Sequence, residues 1–272
     1  MQRRRAIFEE MGVEFRLNQE VGKATSIAEL MEGFDALFLG MGTYRSVTGS
    51  LPGEQLAGVH QALPYLVANA YRLLGEQDER WPTIDLHNRR VVVLGGGDTA
   101  MDCNRTAIRQ GARSVTCIYR RDENSMPGSR REIANAREEG VRFYFNRQPL
   151  QINGLYQVEK LLVAETEPSV GLGVDHRALD IVPGSAEEIR TDAVVLAFGF
   201  NPSPADWFRD CGIQTDKGGR VLVNPDHPFS FQTSQQKIFA AGDMVRGSDL
   251  VVTAIADGRS AALGILAYLG VC

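Results

Sequence analysis

The stretch Val-Val-Val-Leu-Gly-Gly-Gly-Asp-Thr-Ala-Met-Asp, from Val91 to Asp102, constrains this chain more than any other. Four apolar residues in a row, three of them β-branched, predict a buried parallel strand, because a strand covered on both faces has no polar alternation. The glycines that follow allow a tight turn without a Cβ in the way, and a helix is expected to start near Asp98 or Thr99. Gly95, Gly97 and Ala100 have the G-x-G-x-x-G/A spacing of a dinucleotide-binding turn. In such a turn Gly95 reverses the chain, Gly97 lets backbone approach a pyrophosphate, and Ala100 keeps helix and strand close. Gly96, Asp98 and Thr99 complete the loop, and the helix start would present free N–H groups and a partial positive charge to phosphates.

A glycine turn between strand and helix can also be purely structural. The context favours nucleotide binding. A helical segment at 100–110 follows, Gly111 can cap it, and a second strand is expected at 114–119, which completes a β-α-β unit of the usual ~30 residues. An NAD site normally carries Asp or Glu at the end of that second strand, where it meets the ribose 2′-hydroxyl. Here the position holds Arg120 and Arg121, and guanidinium groups pair with a 2′-phosphate in a two-pronged way. This points to NADP, against the alternative of two exposed arginines balanced by Asp122 and Glu123.

With 272 residues, 43% hydrophobic and 23% charged, the chain has the composition of a soluble globular protein of two modest domains or one large one. A net charge of −5 argues against nucleic acid or an anionic membrane as partner. No apolar run approaches the ~20 residues of a membrane span, and no signal-peptide pattern opens the chain. Cys103, Cys117, Cys211 and Cys272 are far apart, so no iron–sulfur or redox Cys-x-x-Cys site is expected, nor any metal site, and reduced thiols in the cytoplasm are the simplest account.

Along the chain, helix is expected at 2–11, strand at 13–17, a short helix capped by Ser26 through 31, and an apolar strand at 36–43 that runs into Gly40 and Gly42. A turn at 51–54, a helix at 61–74 and a polar linker at 75–88 lead to the central strand. A loop at 120–128, a helix at 130–139 and a strand at 141–145 follow it. Short strands at 158–165, 178–182 and 188–191 suggest an antiparallel meander set on a parallel sheet. The strand at 192–200 again ends in glycine, Gly199, and Pro202 and Pro204 then break the chain. Strands at 220–223 and 238–241 precede Gly242 and Asp243, and a last helix at 252–269 offers Ala254, Ile255, Ala261, Ala262, Ile265 and Leu266 for packing on a sheet.

Six segments in order, 35–43, 95–102, 119–121, 192–199, 238–243 and 249–259, give the chain its resemblance to a family. Across essentially its whole length it resembles the small (beta) subunit of NADPH-dependent glutamate synthase and related iron–sulfur/flavin oxidoreductases. The resemblance implies an α/β flavoprotein with two dinucleotide folds, taking hydride from NADPH onto FAD and passing electrons to iron–sulfur centres or a partner subunit. No acid–base or nucleophilic catalytic residue is expected, since hydride transfer relies on stacked rings. It further implies that Gly242 and Asp243 contact the FAD ribityl chain and that a helix starting at Val251, Val252 and Thr253 points at the flavin pyrimidine end. Gly42 and Thr43 match the strand-to-glycine motif of the FAD domain, and Phe198 and Gly199 that of the NADPH domain.

The family also has an N-terminal cysteine-rich iron–sulfur domain and an early G-x-G-x-x-G for the FAD pyrophosphate, neither of which occurs in this sequence. The expectation is therefore the C-terminal part of a longer protein. A Rossmann-like NADPH domain at 61–205 would be inserted into a partial FAD domain at 1–60 and 206–272. Such a half-domain should associate, as a homodimer or in a larger complex with a large glutamate synthase subunit or an iron–sulfur domain. The alternative is a catalytically silent NADP-binding or assembly module.

Overall fold

The structure, a computed structural model, describes residues 2–169, 178–223 and 229–271. They form two compact units, 1–43 with 201–272, and 44–200. In chain order the first unit contributes α1 (Gln2–Glu10), α2 (Ile27–Gly33) and β1 (Leu37–Leu39). The second runs through β2 (Arg45–Ser46), β3 (Val59–Gln61), α3 (Ala62–Leu74), β4 (Arg90–Leu94), α4 (Asp98–Arg109), β5 (Ser114–Ile118), α5 (Arg130–Glu138) and β6 (Arg142–Tyr144). It continues with β7 (Arg147–Asn153), β8 (Lys160–Pro168), β9 (Leu179–Ile181), β10 (Glu187–Arg190) and β11 (Ala193–Leu196). Then come β12 (Phe200–Asn201), α6 (Trp207–Asp210), β13 (Ile238–Ala240), α7 (Asp243–Arg246) and α8 (Val251–Leu269). The crossings lie after residues 43 and 200, where sequence placed them at 60 and 205. The first moves because Val59, His60 and Gln61 pair with Val194, Val195 and Leu196, which makes β3 the edge strand of the second unit's own sheet.

That sheet has five parallel strands in the order β3-β11-β4-β5-β6. Side chains alternate across it. Val91 and Val93 face a cluster with Tyr65, Met101, Cys103, Ala107 and Ala136 from the helices. Val92 and Leu94 face Ile152, Leu161 and Val163. Ile152 lies on β7 and Leu161 and Val163 on β8, which pairs antiparallel with both β7 and β10, so a meander covers the second face as expected. With both faces covered, Val91 to Leu94 are at most 2% exposed, and each such side chain contributes roughly 1.5–3 kcal/mol of burial. β7 escaped sequence reading because Arg147, Gln148, Pro149 and Gln151 break any alternation. Its register shifts between Pro149 and Gln151, where proline has no N–H to give a ladder.

The first unit is built on the parallel pair β1 and β13, with Leu37, Phe38 and Leu39 opposite Ile238, Phe239 and Ala240. Trp207, Phe208, Ile213, Ile238 and Met244 make its core with Ile27 and Met31. Ser26 caps α2 as expected, in a reciprocal box with Glu29. Two expected strands do not form. Residues 13–17 alternate but have no partner strand and stay exposed, and 220–223 makes only an isolated bridge between Val221 and Thr215.

α8 lies on β13 through Tyr268, whose ring centroid is 5.7 Å from that of Phe239. At 19 residues it is long and apolar enough to cross a membrane by length and composition, which counting uninterrupted apolar runs missed because Asp257 and Arg259 divide it. Asp257 is buried and pairs with Arg246 at 2.6 Å. Of the residues expected to pack, Ala261 is fully buried, while Ile255 and Leu266 remain exposed.

Candidate functional site

The glycine turn stands at the carboxyl ends of β4 and β11, in the middle of the parallel sheet, where ligand crevices of open α/β sheets form. Gly95 has φ +142°, and a Cβ there would stand 2.2 Å from the Ala197 carbonyl oxygen. A Cβ on Gly96 would lie 2.5 Å from the Tyr119 ring. These two glycines are demanded by the protein's own packing. Gly97 differs: its φ is −89°, and the nearest atom to an added Cβ is Pro127 Cγ at 4.0 Å. Here the missing side chain leaves space.

Gly97 is the N-cap of α4 and offers no capping side chain. Its carbonyl accepts from Ala100 at 2.9 Å and Met101 at 3.2 Å. Among the described residues no acceptor is paired with the backbone N–H groups of Gly96, Gly97, Asp98 or Thr99. Four unsatisfied donors at a helix start, beside open space, make a cradle with the chemistry to receive an anion. Ala100 is fully buried, which lets α4 lie against the sheet.

At the end of β5, the Arg120 carbonyl accepts from Thr166 Oγ1 at 2.7 Å and the Arg121 carbonyl accepts from the Asn146 N–H at 3.0 Å. The backbone of both arginines is thereby pinned. The Arg120 side chain is exposed and its guanidinium makes no hydrogen bond or ion pair among the described residues. The neighbouring carboxylates have partners of their own, and the Arg121 charge also acts on Asp122. Asp122 accepts from the Ser125 N–H at 2.8 Å, which holds its carboxyl below the usual range, and Glu123 pairs with Arg137 at 3.0 Å.

Sequence reading missed two contributors in this unit. Ala197, not Phe198, meets the turn; Phe198 packs into the cluster under the meander, and Gly199 accepts from the Val47 N–H at 3.0 Å. Gln61, at the carboxyl end of β3, keeps a buried Oε1 with no hydrogen-bond partner among the described residues. A lone glutamine before a helix carries no spacing signal, and an alanine acting through its backbone carries none either.

In the first unit the expected residues collect at the carboxyl ends of β1 and β13. Gly42 follows β1, and Thr43 Oγ1 lies 2.9 Å from Ser248 Oγ. Gly242 caps α7 without a side chain, and burial pushes the carboxyl of Asp243 above its ordinary value. α8 begins with Val251 and Val252, 71% and 63% exposed, and Thr253 Oγ1 donates to the Leu250 carbonyl at 2.6 Å. Its cap, Leu250, satisfies no N–H with its side chain. The glycine-turn residues and these therefore form two sets, one in each unit.

Comparison with known proteins agrees with this architecture. The family of pyridine nucleotide-disulphide oxidoreductases matches residues 14–258. The chain is 58% identical over 271 residues to a glutamate synthase [NADPH] small chain of Halomonas elongata and 51% identical over 274 residues to that of Escherichia coli. Both alignments take in 100% of this chain, which spans only 57% and 58% of those proteins' lengths. Among solved structures, Mycobacterium tuberculosis FprA in complex with NADPH superposes with a TM-score of 0.69 at 19% identity, covering 93% of this chain and 68% of that one. At that identity the likeness establishes a shared fold. The chain belongs to the pyridine nucleotide-disulphide oxidoreductase family.

Proposed function

We propose that this chain is the nucleotide-handling part of an NADPH-dependent flavin oxidoreductase of the glutamate synthase small-chain type. The observation that carries the reading is the row of four unpaired amides from Gly96 to Thr99 beside the open space at Gly97. A pyrophosphate fits that donor set, and the cradle is one a Cβ at Gly97 would fill. Arg120 and Arg121, at the end of β5, supply guanidinium groups for a ribose 2′-phosphate.

When bound, NADPH supplies a hydride and FAD accepts it. In the first unit Gly242 and Asp243 would hold the ribityl chain, with Gly42 and Thr43 beside the flavin nucleotide. The first turn of α8, Val251 to Thr253, would direct its positive end toward the flavin ring. A larger subunit or an iron–sulfur domain is the natural recipient of the electrons; the name small chain, carried by the relatives, supports a larger partner subunit.

Titration with both dinucleotides tests the reading: NADPH should bind at least tenfold more tightly than NADH, a difference of about 1.4 kcal/mol. Equal affinities, or no binding of either, would overturn it.

A second reading is favoured by one observation. The first unit exposes the large apolar side chains of Ile7, Phe8, Met11, Leu17, Phe38, Val251, Val252 and Ile255. That surface suits an assembly role, with a second copy or a larger subunit over it and little FAD retained. Light scattering together with flavin absorbance separates the readings. A colourless dimer supports the assembly role, and a yellow monomer with one FAD per chain removes it.

A further inference from the structure

Asp98 is the first residue of α4, a position where a carboxylate sits well against the helix dipole and badly against a bound phosphate. Its side chain has a partner that explains its presence. Oδ1 accepts the backbone N–H of Ser129 at 2.8 Å. One residue earlier, the Gly128 N–H donates to the Gly96 carbonyl at 2.9 Å, and a Cβ on Gly128 would stand 3.0 Å from that oxygen. The segment from Asp122 to Ser129 is thus laid across the glycine turn as a strap. Its middle is tied as well, since Tyr119 Oη donates to the Ser125 carbonyl at 2.8 Å and Met126 is buried. Arg120 and Arg121 lead directly into this strap.

We propose that the Asp98 carboxylate is a positioning group: it latches the strap to the glycine turn and so holds Arg120 and Arg121 in register with the unpaired amides, which sets the preference for a dinucleotide carrying a 2′-phosphate. The proposal rests on reading the turn as the NADPH site. It separates two properties of one side chain. The oxygen acceptor is what the latch uses, while the negative charge opposes the phosphates.

The test titrates the purified chain with NADPH and NADH and follows amide hydrogen exchange over residues 122–129 without ligand. Asp98→Ala should speed exchange in the strap and weaken NADPH about tenfold while changing NADH less than about threefold. Asp98→Asn keeps the oxygen and should return both slow exchange and NADPH affinity to within about threefold of the unmutated chain. Ser129 has φ −63°, which suits proline, so Ser129→Pro removes the same N–H from the other side and should reproduce Asp98→Ala. Ser129→Ala loses only the cap on Glu132 and should not. If Asp98→Ala fails to fold, the Ser129 pair decides. An Asp98→Asn chain as weak as Asp98→Ala, or an Asp98→Ala chain with unchanged selectivity and exchange, overturns the latch and leaves the NADPH reading standing. An unmutated chain that binds neither dinucleotide overturns both.

Discussion

Gly95 and Ala197 meet at the carboxyl ends of neighbouring strands so closely that a Cβ on Gly95 would stand 2.2 Å from the Ala197 carbonyl oxygen. Gly97, two residues on in the same motif, has ordinary φ and open space around it. One glycine is demanded by the fold and the other faces open space, so substitutions should divide accordingly.

Gly95→Ala combines that collision with a φ of +142°, where an L side chain is strained. A loss of about 2–4 kcal/mol in urea unfolding is expected, as for overpacking plus backbone strain. A midpoint within error of the unmutated chain would mean the strands separate at little cost.

Gly97→Val should behave in the opposite way. With φ −89° the backbone accepts a branched residue, so the argument from positive φ does not apply at this position. The side chain enters the cradle, and NADPH binding should be lost while the melting temperature stays within a few degrees. Normal NADPH affinity would make this loop a structural link only.

Arg120→Ala removes a guanidinium that has no partner among the described residues, so stability should not change. NADPH affinity should fall roughly 10–100-fold, the worth of one charge-assisted contact, and NADH affinity should hardly move. Parallel titrations that weaken both dinucleotides equally would place the arginine outside the 2′-phosphate site.

Asp192 supplies a pH dependence. Arg90 donates to its carboxylate from Nη2 at 2.6 Å, from Nε at 3.0 Å and from its backbone N–H at 2.7 Å. The Arg90 side-chain hydrogen bonds hold the carboxyl below its ordinary value of 3.8, against an opposing push from partial burial. The unfolded chain therefore takes up the proton first. The stabilisation is fully present above that ordinary value and is lost as pH falls through the lower folded-state one. Urea midpoints measured from pH 6 to pH 3 should drop more steeply for the unmutated chain than for Asp192→Asn. Identical acid limbs would show the pair to be idle.

Much of this protein is written in short-range pattern. Val91 to Leu94 announce a strand buried on both faces because four consecutive apolar residues leave no face for water. Ser26 with Glu29, and Gly95 to Ala100 with a helix behind them, are local devices whose chemistry lies within a few residues of itself. For the same reason the sequence named a plausible phosphate turn and the two arginines downstream.

What it could not decide depends on partners far along the chain. β7 is a strand because β8 pairs with it, although Arg147, Gln148, Pro149 and Gln151 break its alternation, and residues 13–17 alternate without becoming a strand because nothing pairs with them. The placement of residues 44–60 followed from β3 meeting β11, about 135 positions away in sequence, and no local composition shift marks it. The division of labour between Gly95 and Gly97 was likewise invisible, since both are the same letter in one motif. Only the carbonyl of Ala197, brought alongside by the parallel sheet, makes Gly95 indispensable to the fold, while Gly97 faces open space. Local sequence sets which conformations each segment can adopt, and long-range contacts choose among them, because a strand's edge and a turn's open space exist only once distant backbone has arrived.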